Sequence, residues 1–169
     1  MVEYIEEVDE SGKTIALHPK EELKKRSFLH KASFIIPIHE GKILLARRAK
    51  DKYPFPDVWC CAVGGKAFPG EDALTTALRE MKEEIGIEVP LHKIAEGAFN
   101  DPKWKTFFCL FTNAKPFSLE TIKINPKEIQ YTKLFVREDL KGLMQKGPEQ
   151  FSPTSLHLLK IFVDLEQTK

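Results

Sequence analysis

The sequence predicts an α/β fold in which a mixed sheet is sandwiched by helices. Short apolar runs of strand length stand on both sides of one long amphipathic stretch, and a second helical stretch closes the chain. Strands around a central helix, with another helix for the opposite face, bury both sides of a sheet. The 169 residues are 42% hydrophobic and 30% charged, enough for one domain with a real core and too apolar for wholesale disorder. Residues 1–27 read as an N-terminal strand and helix extension packed on that domain.

In chain order, a strand is expected around Tyr4–Val8, a turn at Glu10-Ser11-Gly12-Lys13, and a second strand near Thr14–Leu17. The basic segment Glu21–Arg26 reads as helical. Ala32–Ile38 and Lys42–Arg47 are apolar strand candidates joined by His39-Glu40-Gly41, a hairpin signal. Pro54 and Pro56 mark a loop, and Val58–Val63 reads as a short buried strand. Lys105–Thr112 and Tyr131–Val136 are further strands, and Arg137–Lys146 a short helix. Ser152-Pro153 supplies an N-cap and first-turn proline for a last helix through about Glu166.

The chemistry concentrates in the central helix. Glu80, Glu83 and Glu84 stand at i, i+3 and i+4, within about 100° of one another on the helix surface. Like charges at this spacing destabilise a helix by about 0.2–0.5 kcal/mol per pair, so a divalent cation is the expected compensation. Hard oxygen ligands suit Mg²⁺, with Mn²⁺ as a substitute, and no zinc-type Cys/His set accompanies them. Leu74, Ala77, Leu78, Met81 and Ile85 form an apolar stripe that packs the helix on a sheet. Arg79 flanks the acidic face and is placed to orient a glutamate, and Gly86 stands where a left-handed cap belongs. Gly64, Gly65 and Gly70 are expected in turns that bring a loop near a phosphate or a metal.

This stretch resembles the Nudix box, G-x5-E-x7-R-E-U-x-E-E-x-G-U, where U is bulky and aliphatic. Gly65, Glu71, Arg79, Glu80, Glu83, Glu84 and Gly86 match every fixed position, with Met81 and Ile87 at aliphatic places. At about 6% per residue type, seven identities coincide by chance on the order of once in 10⁸–10⁹ positions. The resemblance implies a Nudix-type α/β/α sandwich and metal-dependent hydrolysis of a diphosphate in a nucleoside diphosphate linked to a group X. It implies Glu80 and Glu84 as principal metal ligands, with the Gly65 carbonyl adding one. Glu83 completes the site or handles the water, and Glu71 steadies the loop and helix start. The general base is a box glutamate in some members and a later one in others. Glu128, after the turn signal Asn125-Pro126-Lys127, is the late candidate, with Lys127 beside it to keep it ionised.

Outside the box the chain is similar to the branch related to isopentenyl-diphosphate isomerase. The similarity rests on Val8-Asp9-Glu10-Ser11-Gly12-Lys13, Leu29-His30-Lys31-Ala32-Ser33, Leu44-Leu45-Ala46-Arg47-Arg48, Pro56-Asp57-Val58-Trp59, Asn125 to Gln130 and Phe151-Ser152-Pro153. The isomerase's cysteine acid/base falls on Gly64 and its histidine ligands on Lys66 and Leu23. Its late glutamates fall near Lys105 and Phe107, so only His30 and Glu84 survive. Isomerisation is therefore not expected, and Cys60 and Cys61 lie off the matching position. A non-catalytic nucleotide-binding module would be expected to lose box glutamates, and all are present.

Arg47 and Arg48 end a strand as candidate phosphate clamps, of which alternation lets only one face the site. Phe68 stacks on a base or covers the core. Trp59 and one of Phe107 and Phe108 belong to the core, and His30 reads as a hydrogen-bonded structural residue. Net charge of +1 gives no global field to recruit nucleic acid or an anionic membrane. No apolar run reaches the ~20 residues of a membrane span, and the N-terminus is too acidic for a signal peptide. Three cysteines make no disulfide framework, so the cytoplasm is the expected compartment. The expected partner is a small diphosphate or nucleotide, and a homodimer is left open.

Overall fold

A computed structural model describes residues 1–165. Two sheets carry the fold. In the first, β1 (Tyr4–Val8) and β2 (Thr14–Pro19) form a hairpin that joins β3 (His30–Ile35) through Glu7↔His30. The other strands of this sheet are β7 (Val63–Lys66), β8 (Leu91–Asn100) and β9 (Lys105–Asn113). β3 pairs antiparallel with β7 and parallel with β9, which makes the sheet mixed. The second sheet is antiparallel: β4 (Ile38–His39), β5 (Lys42–Arg48), β6 (Trp59–Cys61) and β10 (Ile129–Phe135).

Alternation along the strands feeds two cores. Ile35, Leu44, Ala62, Val63, Cys109 and Phe111 pack with Ala77, Met81 and Ile85 of α1 (Ala73–Ile85). Their neighbours Ile36, Ile43, Leu45, Cys61, Phe108 and Leu110 turn the other way. That second core is covered by Leu140 and Met144 of α2 (Arg137–Lys146) and by Leu158, Leu159 and Phe162 of α3 (Pro153–Leu165). The sandwich has α1 on one face and α2 with α3 on the other, as expected. Trp59 and Phe108 lie in the core. Phe107 instead lies against the Gly12 turn of the N-terminal hairpin.

Several boundaries differ from expectation. The strand expected over Ala32–Ile38 breaks at Ile36-Pro37, because Pro37 has no N–H to donate to a ladder. The hairpin after it is tight: Glu40 and Gly41 both take positive φ, the two-residue primed turn that suits strand twist. Glu21–Arg26 is not an α-helix; a 3-10 turn covers Lys20–Lys24 and buries none of its residues. Without an apolar face to pack, so short a helix has nothing to offset nucleation. Val58–Val63 is two strands in two sheets, parted at Ala62. Of the stripe on α1, Leu74 and Leu78 are exposed, and Thr76 and Glu84 are buried instead. The end expected near Glu166 lies outside the described residues.

β8 is the element the sequence reading lacks. It has no fully buried residue, contains Gly97 and helix-favouring Lys93 and Glu96, and carries a register shift between Lys93 and Ala95. Nine pairs with β9, from Leu91↔Asn113 to Asn100↔Lys105, hold it as a strand despite weak propensity.

Candidate active site

The site is built where β7 enters the box loop and α1 ends. Asp72 caps α1, its side chain accepting from Thr75 N at 2.8 Å, and Gly86 closes it at φ 70. The carbonyls of Glu84 and Ile85 accept from Asn125 N and Lys123 N, both at 2.8 Å. These bonds satisfy the free helix end and tie it to the segment that leads into Glu128.

Glu71 and Arg79 form the rigid part. Arg79 grips Glu71 through Nε and Nη2, both at 2.9 Å, and donates to the Lys66 carbonyl at 3.1 Å. Its Nη1 reaches Glu80 at 2.6 Å and Glu83 at 3.4 Å. All five guanidinium N–H groups are thereby engaged within the protein. Arg79 is thus arranged to orient the box glutamates, as its place beside the acidic face predicts. Phe68 is exposed, with its ring 4.1 Å from the guanidinium carbon, so it covers this ion cluster and not the core.

Glu71 also accepts from Phe68 N and from the Thr76 hydroxyl. The Arg79 hydrogen bonds, aided by these donors, lower its carboxyl from 4.5 to about 2. A depressed folded-state value contributes stability above the ordinary carboxylate range, lost as pH falls from about 4.5 toward 2. Glu71→Gln is expected to lose on the order of 1–3 kcal/mol at pH 7. The gap between wild type and variant in thermal unfolding should close as pH drops below about 4. A gap independent of pH would contradict the assignment.

Glycine has a different use from the one expected. Gly64 and Gly65 are not in a turn; they lie in β7, opposite Phe34 and Ser33 of β3. A Cβ on Gly65 would fall on the Glu80 carboxylate, well inside 3.0 Å, so glycine here makes room for that side chain. Only Gly70 of the three takes a positive φ, 79°. Gly65→Ala is expected to leave the thermal midpoint within a few degrees and to lower turnover at least about tenfold by displacing Glu80. Loss of stability with normal turnover would oppose this.

The box glutamates have three different environments. Glu84 is 8% exposed, and its carboxylate accepts from Gly64 N at 3.2 Å. Burial, followed by the nearby Glu80 and Glu128 charges, pushes its carboxyl well above the ordinary range. Glu80 is raised as well, mainly by burial, with Arg79 opposing. The Glu83 side chain is 56% exposed and turns toward Arg79. Among the described residues, no three His, Cys, Asp or Glu side chains form a ready-made metal cage. Glu80 and Glu83 share the Arg79 Nη1, while Glu84 is turned to the Gly64 N–H.

A cleft of about 120 Å³ lies beside them. Glu84, Glu128, Arg48, Gly65, Lys66 and His30 are among its lining residues. Arg47, Phe68, Glu80 and Glu83 are not. Of the arginine pair, Arg48 faces the cleft, its Nε donating to the Pro54 carbonyl at 3.1 Å. Arg47 turns to Asp57 at 2.9 Å and over Trp59. Glu128 is paired with Lys52 at 2.6 Å, not with its neighbour Lys127. His30 is buried, its Nδ1 donates to the Phe28 carbonyl at 3.1 Å, and its imidazole is lowered to about 3 by burial and then by Lys66. It is a structural residue, as expected.

Lys66, Lys52 and Trp104 are site residues that sequence reasoning did not single out as such. Lys66 Nζ sits 5.3 Å from the Trp104 ring centre, and burial lowers its ammonium to about 8. Lys66 lies inside the box and was open to inspection. Trp104 follows β8, so its place was hidden with that strand.

The NUDIX domain family model matches residues 29–155. A Nudix hydrolase of Yersinia pestis is 29% identical over 168 residues, covering 96% of this chain and 87% of that protein. The crystal structure of DR0079 from Deinococcus radiodurans superposes with TM-score 0.78 at 19% identity, covering 94% of this chain and 98% of that one. The NUDIX domain of Shewanella oneidensis NrtR, solved with ADP ribose, superposes with TM-score 0.59 at 18% identity over 85% of this chain and 90% of its own. A box intact at every fixed position and a family match spanning most of the sequence agree: this chain belongs to the Nudix family and is a Nudix hydrolase.

Proposed function

We propose that the protein hydrolyses the diphosphate of a nucleoside diphosphate linked to a group X, using Mg²⁺ or Mn²⁺. The observation that carries this reading is the buried Glu84 carboxylate at the cleft. It has one N–H donor and two nearby carboxylates, a local excess of negative charge that a cation would balance. The donor set is all hard oxygen, which fits Mg²⁺. Glu80 and Glu84, with Glu83 and the Gly65 carbonyl, would hold the ion, which supplies charge neutralisation of the diphosphate and a more acidic water.

The chain's own groups do the rest. Arg48 and Lys66 meet the phosphate oxygens, with Arg48 aimed by its bond to the Pro54 carbonyl. Arg79 holds Glu80 at the edge of β7. Glu128 lines the same cleft as Glu84 and takes the proton of the attacking water, a role its place supports better than that of exposed Glu83. Isomerase chemistry is not assigned, since Gly64 and Lys66 occupy its cysteine and histidine positions.

The NrtR domain in its ADP ribose complex supports a nucleotide-type ligand. Free Cys60, Cys61 and Cys109 support a reducing cytosol, and among the described residues no helix is long and apolar enough to cross a membrane. The hairpin bonded to β3 supports counting residues 1–27 in the same domain. The test is a screen of nucleoside di- and triphosphates, dinucleoside polyphosphates and nucleotide sugars with Mg²⁺ or Mn²⁺. Turnover of at least one diphosphate, abolished by a chelator, is expected. No metal-dependent turnover of any of them would refute the reading.

A further inference from the structure

We propose that a groove outside the cleft binds a second phosphate of the substrate, remote from the scissile diphosphate and carried on an arm with an aromatic ring. The proposal rests on the hydrolase reading above and adds a phosphate on the nucleoside arm of the substrate. A substrate whose diphosphate lies in the inner cleft beside Glu84 can extend outward from it. An outer groove of about 460 Å³ shares Pro54, Phe55 and Trp104 with the cleft, so the two are continuous.

The groove's chemistry is specific. Lys24, Lys25 and Arg26 line one part and Lys103 another, with no Asp or Glu among its lining residues. Nearby acids offset part of this charge: Glu21 lies 3.9 Å from Lys24, Glu22 3.5 Å from Lys25, and Glu7 3.1 Å from Arg26. The two lysine pairs are exposed pairs that water screens, leaving both ammonium groups able to turn to a phosphate. Tyr53, 73% exposed, and the Phe55 and Trp104 rings, 6.5 Å apart and nearly perpendicular, supply stacking surfaces.

The loop between cleft and groove is held in an unfavourable shape. Phe55 takes φ of 60°, a left-handed conformation that a bulky aromatic residue rarely adopts, and Asp57 takes 51°. Arg48 on the Pro54 carbonyl, and Arg47 and Gln130 on Asp57, pin it there. Strain maintained by two arginines at the mouth of a cleft suits a wall that must be preformed for a ligand.

The test uses the full chain with Mg²⁺ and pairs of diphosphates that differ by one remote phosphate: coenzyme A against dephospho-coenzyme A, and NADPH against NADH. In at least one pair, the phosphorylated member should show KM lower by about tenfold, the size of one charge-assisted contact. Combined Lys24→Ala, Lys25→Ala and Lys103→Ala should narrow that ratio to within about twofold, with an unchanged thermal midpoint. Equal KM within both pairs would overturn the subsite and leave the hydrolase reading standing. If neither pair is turned over, calorimetry with adenosine 3′,5′-bisphosphate and AMP decides the groove alone, and the hydrolase reading fails only if no other diphosphate is turned over. Tighter binding of the bisphosphate, lost in the triple variant, supports the subsite; equal binding overturns it.

Discussion

Glu84→Gln is expected to lower kcat by at least about 10²-fold on the substrate found by screening, with the fold intact. Glu84 is the box carboxylate most withdrawn from water, and its neighbours Glu80 and Glu128 make its ionisation costly. That cost is tolerable if a cation is the partner, and the amide has no charge to offer one. The metal-free thermal midpoint should hold or rise in the variant. The sign follows from the direction of the shift. A carboxyl raised in the folded state favours folding only below its ordinary range, and ionisation in the native protein grows more costly as pH rises through the raised value. Metal-free wild type should therefore lose stability as pH climbs from the carboxylate range, and the Gln variant should lose less. Millimolar Mg²⁺ should stabilise wild type by mass action and the variant little. Near-normal turnover in both Glu80→Gln and Glu84→Gln would refute the metal assignment.

Glu128→Gln is expected to lower kcat by about 10²–10⁴-fold with little change in the Mg²⁺ needed for half-maximal rate, because the loss falls on proton transfer. Glu128 immediately precedes β10, its carbonyl accepting from Ala49 N, so the second sheet fixes it in the cleft that Glu84 also lines. Its side chain is held at the rim by Lys52, 2.6 Å away. Glu83, the other candidate base, is exposed and does not line the cleft. The discriminating measurement is a parallel Glu83→Gln variant. A loss below threefold for Glu128→Gln, with a large one for Glu83→Gln, would return the base to the box.

The identities that carry chemistry were legible from the chain alone. Helical spacing brings Glu80, Glu83 and Glu84 near one face, and Gly86, without a Cβ, suits a left-handed cap. Those are local constraints of 3.6-residue periodicity and steric freedom. Strand alternation likewise separates Arg47 from Arg48, though it leaves open which one faces the cleft. What the tertiary structure decided depends on groups far apart in sequence. Arg79 holds Glu80 and Glu83 on one nitrogen, while the Gly64 N–H holds the buried Glu84. Gly65 is needed because β7 passes against Glu80, a contact invisible to any turn rule. β8 exists through pairing with β9, and Trp104 and Lys66 meet only once that pairing is made. Local sequence sets which atoms are available at the site. Long-range pairing and buried charge set where they point, because the free energy of those contacts exceeds the weak preferences of the segments that make them.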